Sequence, residues 1–579
     1  MEFAAAIIQR YNNDMPRKFI LILLGIVILG TMIRIYRINN TSLFGDELDF
    51  GYQALSLVQT GNDYFGHTFP IYFQSLSEWK TSAFIYTISP FVAVFGITDL
   101  GIRLPSIIFG ILSLVFIFLL TKELTGNNYI ALISAFFLAI TPWHIHYSRI
   151  GFEASEMFFT YIAGVYFFYK ARKNHKLLLV SSFFFAISFI VYRTQLIFVP
   201  FTLLLLIWIF RKELWLVPKK TLFFSAAILL VISLPYAYQT FFGPGSQRYS
   251  SLSIFNTEIM NNAVGISKLE DERYQKPNAL TQLSSKLFHN KYIYYSNIAV
   301  DNFLKSYSTD FLFISGDPNP RENVPGTGEL FKYQLIFLLV GLTFFVDKNI
   351  LNKNKTVVLS WLIISPLASS LTRDGAYHAT RLFMMLLPLS LIFSYGVYFI
   401  YMKFKTKLGR KIYLSLLGVV SLIFLVNFLH IYFVHYPSVS EVWWQSGFKE
   451  AITAAVSEKN NFDGIIISSA DEPAEIYFLA YSTYPPKKFQ NNLFQKRVNL
   501  KGFGEVSEIE NYLFPDIGVG KDLYTLAKDL QPGYLYLATA KEISLNLITE
   551  PERIPSNLKL IKAVTYPSGR PAYYLFSQK

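Results

Sequence analysis

Apolar stretches with charges only toward their ends recur along this 579-residue chain, at about 18–36, 104–121, 128–147, 153–169, 176–191, 194–210, 221–238, 333–346, 356–371, 380–401 and 412–433. Most approach the roughly 20 residues that a helix needs to cross the bilayer core. The pattern predicts about eleven transmembrane helices. A further run, 81–96, contains Pro90 and is short for a span. Between and after these runs the pattern is polar. The stretch 239–332 is rich in turn signals: Gly243-Pro244-Gly245, Gly316-Asp317-Pro318-Asn319-Pro320 and Pro325-Gly326-Thr327-Gly328. Beyond residue 437 the period changes. Residues 446–459 show helical periodicity, 463–469 and 534–540 read as buried strands, and 558–566 and 572–577 flank a turn at Pro567-Ser568-Gly569-Arg570.

Charge decides the topology. With 81–96 lying along the membrane surface, every basic loop falls on one side: Arg17/Lys18, Lys122, Lys170/Arg172/Lys173/Lys176, Arg211/Lys212/Lys219/Lys220, Lys348/Lys353/Lys355 and Lys403/Lys405/Lys407/Arg410/Lys411. If that run crossed, the later loops would invert and the bias would break. The N-terminus is therefore expected in the cytoplasm, with large outer loops at about 37–103 and 239–332. The expected organisation is a membrane module over 1–436 and a small extracytoplasmic α/β domain over 437–579. No small-x-small cleavage site follows the first span, so it reads as uncleaved.

Composition agrees with a polytopic membrane protein. Hydrophobic residues are 52%, charged residues only 16%, and mean hydropathy is +0.34. The net charge of +13 lies in the short loops, where it orients the chain, and not in a nucleic-acid-binding patch. The chain has no cysteine, which excludes disulfides, thiol catalysis and thiolate metal sites. The many Phe and Tyr residues read as lipid contact and interfacial belt.

Charged residues near the membrane gather at the outer ends of spans: Arg34, Arg37, Arg149, Glu153, Glu156, Arg193, Arg373, Asp374, His378 and Arg381. An ion-coupled transporter would place such groups near the midplane. This distribution describes a polar chamber at the outer surface, suited to a substrate with a polar head and a lipid tail. Asp46-Glu47, just past the first span, is the leading candidate for chemistry. Transfer of a sugar from a polyprenyl phosphate needs no general acid, because its leaving group is already an anion. It needs a carboxylate to take the acceptor's proton and cations to hold the phosphate charge. Asp46 suits the first role; Lys80, Arg149, His378 and Arg381 suit the second.

Plainer readings exist for each. Asp46 could N-cap a helix beginning near Leu48, Glu47 could be a supporting group, and Glu153 could simply open a span. Lys80 could be an interfacial anchor, and Arg149 could pair with Glu153 or with a phosphate. His378 and Arg381, one helical turn apart, could grip one phosphate or face solvent. His144 and His146 are i, i+2 neighbours that point apart on a helix, so no metal is expected there. Pro325-Gly326-Thr327-Gly328 lacks the lysine and helix of a nucleotide loop.

Several short motifs, taken in order, resemble the GT-C superfamily of membrane glycosyltransferases, in the pattern of protein O-mannosyltransferases and lipid A aminoarabinose transferases. They are Asp46-Glu47 after the first span, Trp79-Lys80-Thr81 opening the segment that runs to Phe95-Gly96, Arg103-Leu104-Pro105-Ser106, the stretch His146 to Glu153, and His378-Ala379-Thr380-Arg381 with Pro388 downstream. The second-loop acid here is Glu where relatives often have Asp, and Thr81 stands where they often have proline. The resemblance covers roughly residues 18–400. It implies a catalytic base at Asp46, a donor-phosphate contact at Lys80 and a site acid at Glu153. The expected activity is an inverting transfer of sugar from a polyprenyl-phosphate donor to a protein, lipid or glycan outside the cytoplasm. No cofactor is expected, although an oxygen-ligated ion would leave no visible motif. The alternatives are a metal-dependent oligosaccharyltransferase and a non-enzymatic transporter or flippase of lipid-linked sugars.

Overall fold

The computed structural model describes residues 16–76, 78–243, 245–246, 252–274, 278–346, 352–491, 496–498, 504–516 and 518–579. Pro244 of the first turn signal and Lys348 of the fifth basic loop lie outside them. By packing, the chain divides into two compact units. One comprises residues up to Tyr36, Ser106–Arg149 and Glu153–Phe428. The other comprises Arg37–Pro105, Ile150–Phe152 and Leu429–Lys579. This grouping takes residues 37–105 out of the expected 1–436 module and places them with the C-terminal region.

The first unit is helical. Among the described residues, five helices of the chain are long and apolar enough to cross a membrane: Arg17–Ile35, Asp99–Thr125, Lys219–Phe242, Ala379–Lys403 and Lys407–Val439. Shorter apolar helices at Asn128–Ile140, Leu177–Val191, Gln195–Ile209 and Gln334–Phe345 coincide with other predicted runs. Helix Lys219–Phe242 buries only Ser225, Tyr236 and Thr240, as a helix bathed in lipid would. Close helix crossings rest on small residues. A Cβ added to Gly341 would run into the Ile392 carbonyl, and one added to Gly396 into the Phe337 carbonyl. Helices Gln334–Val346 and Leu386–Lys403 therefore approach nearly backbone to backbone there. Arg34 is a tie within this unit. Its buried guanidinium donates to Ser148 Oγ at 2.8 Å, His144 Nδ1 at 2.7 Å and the Gly30 carbonyl at 2.9 Å.

The second unit is built around a six-stranded sheet. Its order is Glu508–Ile509, Tyr512–Leu513, Gly464–Ile467, Tyr534–Thr539, Pro571–Gln578, Leu558–Thr565. Gly464–Ile467 pairs in parallel with a strand on each side, whereas Pro571–Gln578 pairs antiparallel with both of its neighbours. Strand alternation splits the side chains between two cores. Ile465, Ile467, Leu535, Leu537, Tyr573 and Leu575 face one; Tyr536, Ala538, Tyr574 and Phe576 face the other. The first core also takes in Leu43, Leu48 and Tyr52 of the first loop, with Phe448, Ile452, Tyr477 and Phe478. The ambiguous run forms helix Ser82–Phe95, 14 residues with Pro90 inside, too short to span the hydrocarbon core upright.

Candidate active site

In the second unit, the chain leaves the first span and enters helix Gly45–Thr60. The N-cap is Phe44, so the helix starts three residues earlier than the sequence suggests, and Asp46 and Glu47 lie in its first turn. Asp46 is therefore not a cap. Both acids instead sit where the exposed N–H groups of a helix favour negative charge. The helix ends at Gly61, whose φ of 74° is the left-handed stop that glycine adopts freely.

Glu47 and Asp46 point to different surroundings. Glu47 is fully buried. It accepts from Arg103 Nε at 2.7 Å and Nη2 at 2.8 Å, from the Gly151 N–H at 2.7 Å and from the Phe44 N–H at 3.3 Å. Arg103 spends its remaining donors on the carbonyls of Ile38, Thr41 and Ser42 and on Asp99. Gly151 has to be glycine to come so near, because an added Cβ would collide with the Ile102 side chain and sit 3.1 Å from Glu47 Oε1. This bidentate pair, tied to five backbone groups beyond it, fixes the helix start and leaves Glu47 no face for a substrate.

Asp46 is half-exposed, at 42%, and forms an ion pair with Lys80 Nζ. Lys80 itself is only 4% exposed. Its ammonium also lies 3.2 Å from Glu78, 3.5 Å from Asp49 and 4.8 Å from the Phe50 ring centroid. The short hairpin of Tyr72–Gln74 and Trp79–Thr81, with Lys80 opposite Phe73, holds it there. Asp49 accepts from the Tyr64 hydroxyl at 2.8 Å. Burial pushes the Asp49 carboxyl up, against the opposing pull of Lys80. One lysine thus faces three carboxylates, of which Asp46 is the accessible one.

The first unit carries the other expected residues. Arg149 is buried and donates to the carbonyls of Ile33 at 2.6 Å and Arg34 at 2.8 Å. Glu153 is buried just before helix Ala154–Ala171. Arg381 donates to Asp374 and to Thr372 Oγ1, each at 2.6 Å. Tyr192 lies within electrostatic reach of Arg381, Glu153 and Glu322, so these groups share one polar region. His378 and Arg381 both lie within electrostatic reach of Asp374. A His378 ring nitrogen and carboxylate oxygens of Asp317 and Glu322 lie within 4.8 Å of one another. His144 accepts from Arg34, and His146 Nε2 donates to the Arg321 carbonyl at 2.7 Å, so the two are occupied separately.

Sequence reading noted Asp49 only as a further acid at the membrane border, and missed Glu78 and Tyr64 around Lys80, the pairing of Arg103 with Glu47, and the acids Asp317, Glu322 and Glu329. Asp49 and Glu78 flank residues already singled out and were findable by proximity in sequence. Asp317 was in view only as part of a turn signal.

Residues 80–238 match a family described as dolichyl-phosphate-mannose-protein mannosyltransferase. Comparison with curated protein sequences gives no significant match. Among solved structures, the chain resembles the archaeal oligosaccharyltransferase AglB from Archaeoglobus fulgidus in complex with an inhibitory peptide and a dolichol-phosphate. The TM-score is 0.51 and the identity 12%, over 97% of this chain and 74% of that one. It also resembles ArnT from Cupriavidus metallidurans bound to undecaprenyl phosphate, with TM-score 0.50 and 9% identity, over 96% of this chain and 97% of that one. The chain has the fold of the GT-C superfamily of membrane glycosyltransferases.

Proposed function

We propose that this protein is an inverting glycosyltransferase that moves a sugar from a polyprenyl-phosphate donor to a protein, lipid or glycan on the outer face of the membrane. The observation that carries the reading is the half-exposed Asp46 carboxylate, held by Lys80 at the start of a helix that Glu47 and Arg103 anchor. The family that matches residues 80–238, and the lipid phosphates bound by the AglB and ArnT structures, support the donor class.

Asp46 accepts the proton of the acceptor hydroxyl or amine as its oxygen or nitrogen attacks the anomeric carbon. The bond from that carbon to the phosphate oxygen breaks on the opposite face, and polyprenyl phosphate leaves with the electron pair. One displacement inverts the anomeric centre. Lys80, paired with Asp46, supplies positive charge for the departing phosphate. The N-terminus is cytoplasmic, and the C-terminal α/β region is extracytoplasmic.

The test is transfer from a panel of radiolabelled polyprenyl-phosphate sugars to membrane extract, comparing wild type with Asp46→Asn. The variant is expected to keep its thermal stability and donor binding and to lose transfer by about 10²–10⁴-fold, the range of general-base catalysis. Normal turnover in that variant would remove Asp46 from the chemistry.

A further inference from the structure

The acids of the first unit gather where the segment before Lys332 meets the segment around His378. Asp317 follows the short helical turn Asp310–Ile314, and His378 immediately precedes helix Ala379–Leu382. Two segments about sixty residues apart in sequence thus supply one imidazole and two carboxylates, with ligand atoms all within 4.8 Å of one another. We propose that Asp317, Glu322 and His378 form a binding site for one divalent transition ion, zinc or manganese, that locks these two segments together. No step of the glycosyl-transfer reading is required for this.

The donor set points to that class of ion. Mixed imidazole and carboxylate ligation suits zinc and manganese, whereas calcium and magnesium prefer oxygen alone. Three protein ligands leave a position open for water or an anion. The ligands are also oriented from behind, as ligands of metal sites usually are. The Tyr147 and Thr380 hydroxyls donate to Glu322 Oε2. The N–H groups of Ala379 and Asn319 each donate to Asp317 at 2.8 Å. A third acid, Glu329, is buried beside them and accepts from the Asp317 N–H at 3.2 Å. Of the nearby cations, Arg381 is engaged by Asp374. A bound divalent ion would balance the clustered negative charge.

The test uses the full chain, purified in nanodiscs on a tag without histidine, stripped with chelator and titrated with Zn²⁺ and with Mn²⁺. One ion per chain and a rise in Tm on saturation are expected. Asp317→Asn and His378→Ala should each weaken binding by about 100-fold or more, beyond the 10–100-fold typical of losing a supporting group. Asp46→Asn should bind as wild type does. Absence of saturable binding in the wild type overturns the site. So does binding that survives both substitutions, or that disappears with Asp46. Because the substituted chains could fail to fold, a second readout uses wild type alone. Pulsed electron paramagnetic resonance of bound Mn²⁺ should show nitrogen coupling from an imidazole, and its absence overturns the assignment.

Discussion

At the residue scale, two adjacent acids do opposite work because their environments differ. Asp46 keeps one side to solvent and one cation at hand, which suits a group that has to give and take a proton. Glu47 is sealed against Arg103 and two backbone N–H groups, which suits a group that must never move. Removing one partner of such a pair strands the other in a medium that cannot solvate it. Glu47→Gln is therefore expected to cost about 3–5 kcal/mol of stability, seen as a lower midpoint in tryptophan-monitored unfolding. Asp46→Asn should leave that midpoint nearly unchanged. Equal midpoints for Glu47→Gln and wild type would show that the Arg103 pair contributes little. The sequence showed that the two acids sit beside each other at a membrane border. It pointed to Asp46 as the base and Glu47 as a supporting group but could not name what Glu47 supports, because Arg103 lies 56 residues from Glu47 and nothing local marks it as the partner.

At the element scale, the legible features were those with a period. Apolar runs became helices, and the alternating stretches near the C-terminus became strands Gly464–Ile467, Tyr534–Thr539, Leu558–Thr565 and Pro571–Gln578, within a residue or two of where the pattern put them. What escaped were features without a period. The hairpin holding Lys80 is two strands of three residues, too short to alternate visibly. The cluster of Asp317, Glu322 and His378 depends on a tertiary meeting of two loops. Helix contacts through glycine belong to the same class, since a lone glycine in an apolar run reads only as a weak spot. Gly341→Val and Gly396→Val should each drive a side chain into a neighbouring carbonyl and separate helices Gln334–Val346 and Leu386–Lys403. Gly25→Ala and Gly418→Ala meet nothing within 4 Å and serve as controls. The expected outcome is marked loss of monodisperse protein on size exclusion for the first pair and none for the second. Four indistinguishable variants would show that the close crossing does not limit stability.

At the scale of the whole chain, the C-terminal region is part of the scaffold that holds the proposed base, and not an appendage to it. Its helix Ala474–Tyr481 packs on helix Gly45–Thr60. Tyr481 donates to the Leu43 carbonyl at 3.0 Å, and Tyr52 donates to the Tyr484 carbonyl at 2.9 Å. Gln490 donates to Ser56, Thr60 and the Asp63 carbonyl. Leu48, Tyr52 and Tyr64 are buried in the same core as Ile465, Leu535 and Tyr573. These contacts join segments more than 400 residues apart, which is why the sequence suggested a separate domain after 437. A domain that only recruited acceptor could be removed with the first loop intact, and transfer to a small soluble acceptor would survive. The packing predicts otherwise. A chain ending at residue 436 should expose Leu48, Tyr52 and Tyr64 to water, loosen helix Gly45–Thr60 and its hold on Lys80, and lose transfer to every acceptor. Limited proteolysis gives the direct readout: cleavage at Lys80, buried in the full chain, should become rapid in the truncated one. Truncated protein that keeps Lys80 protected and still transfers sugar would show that the first loop folds without its C-terminal partner.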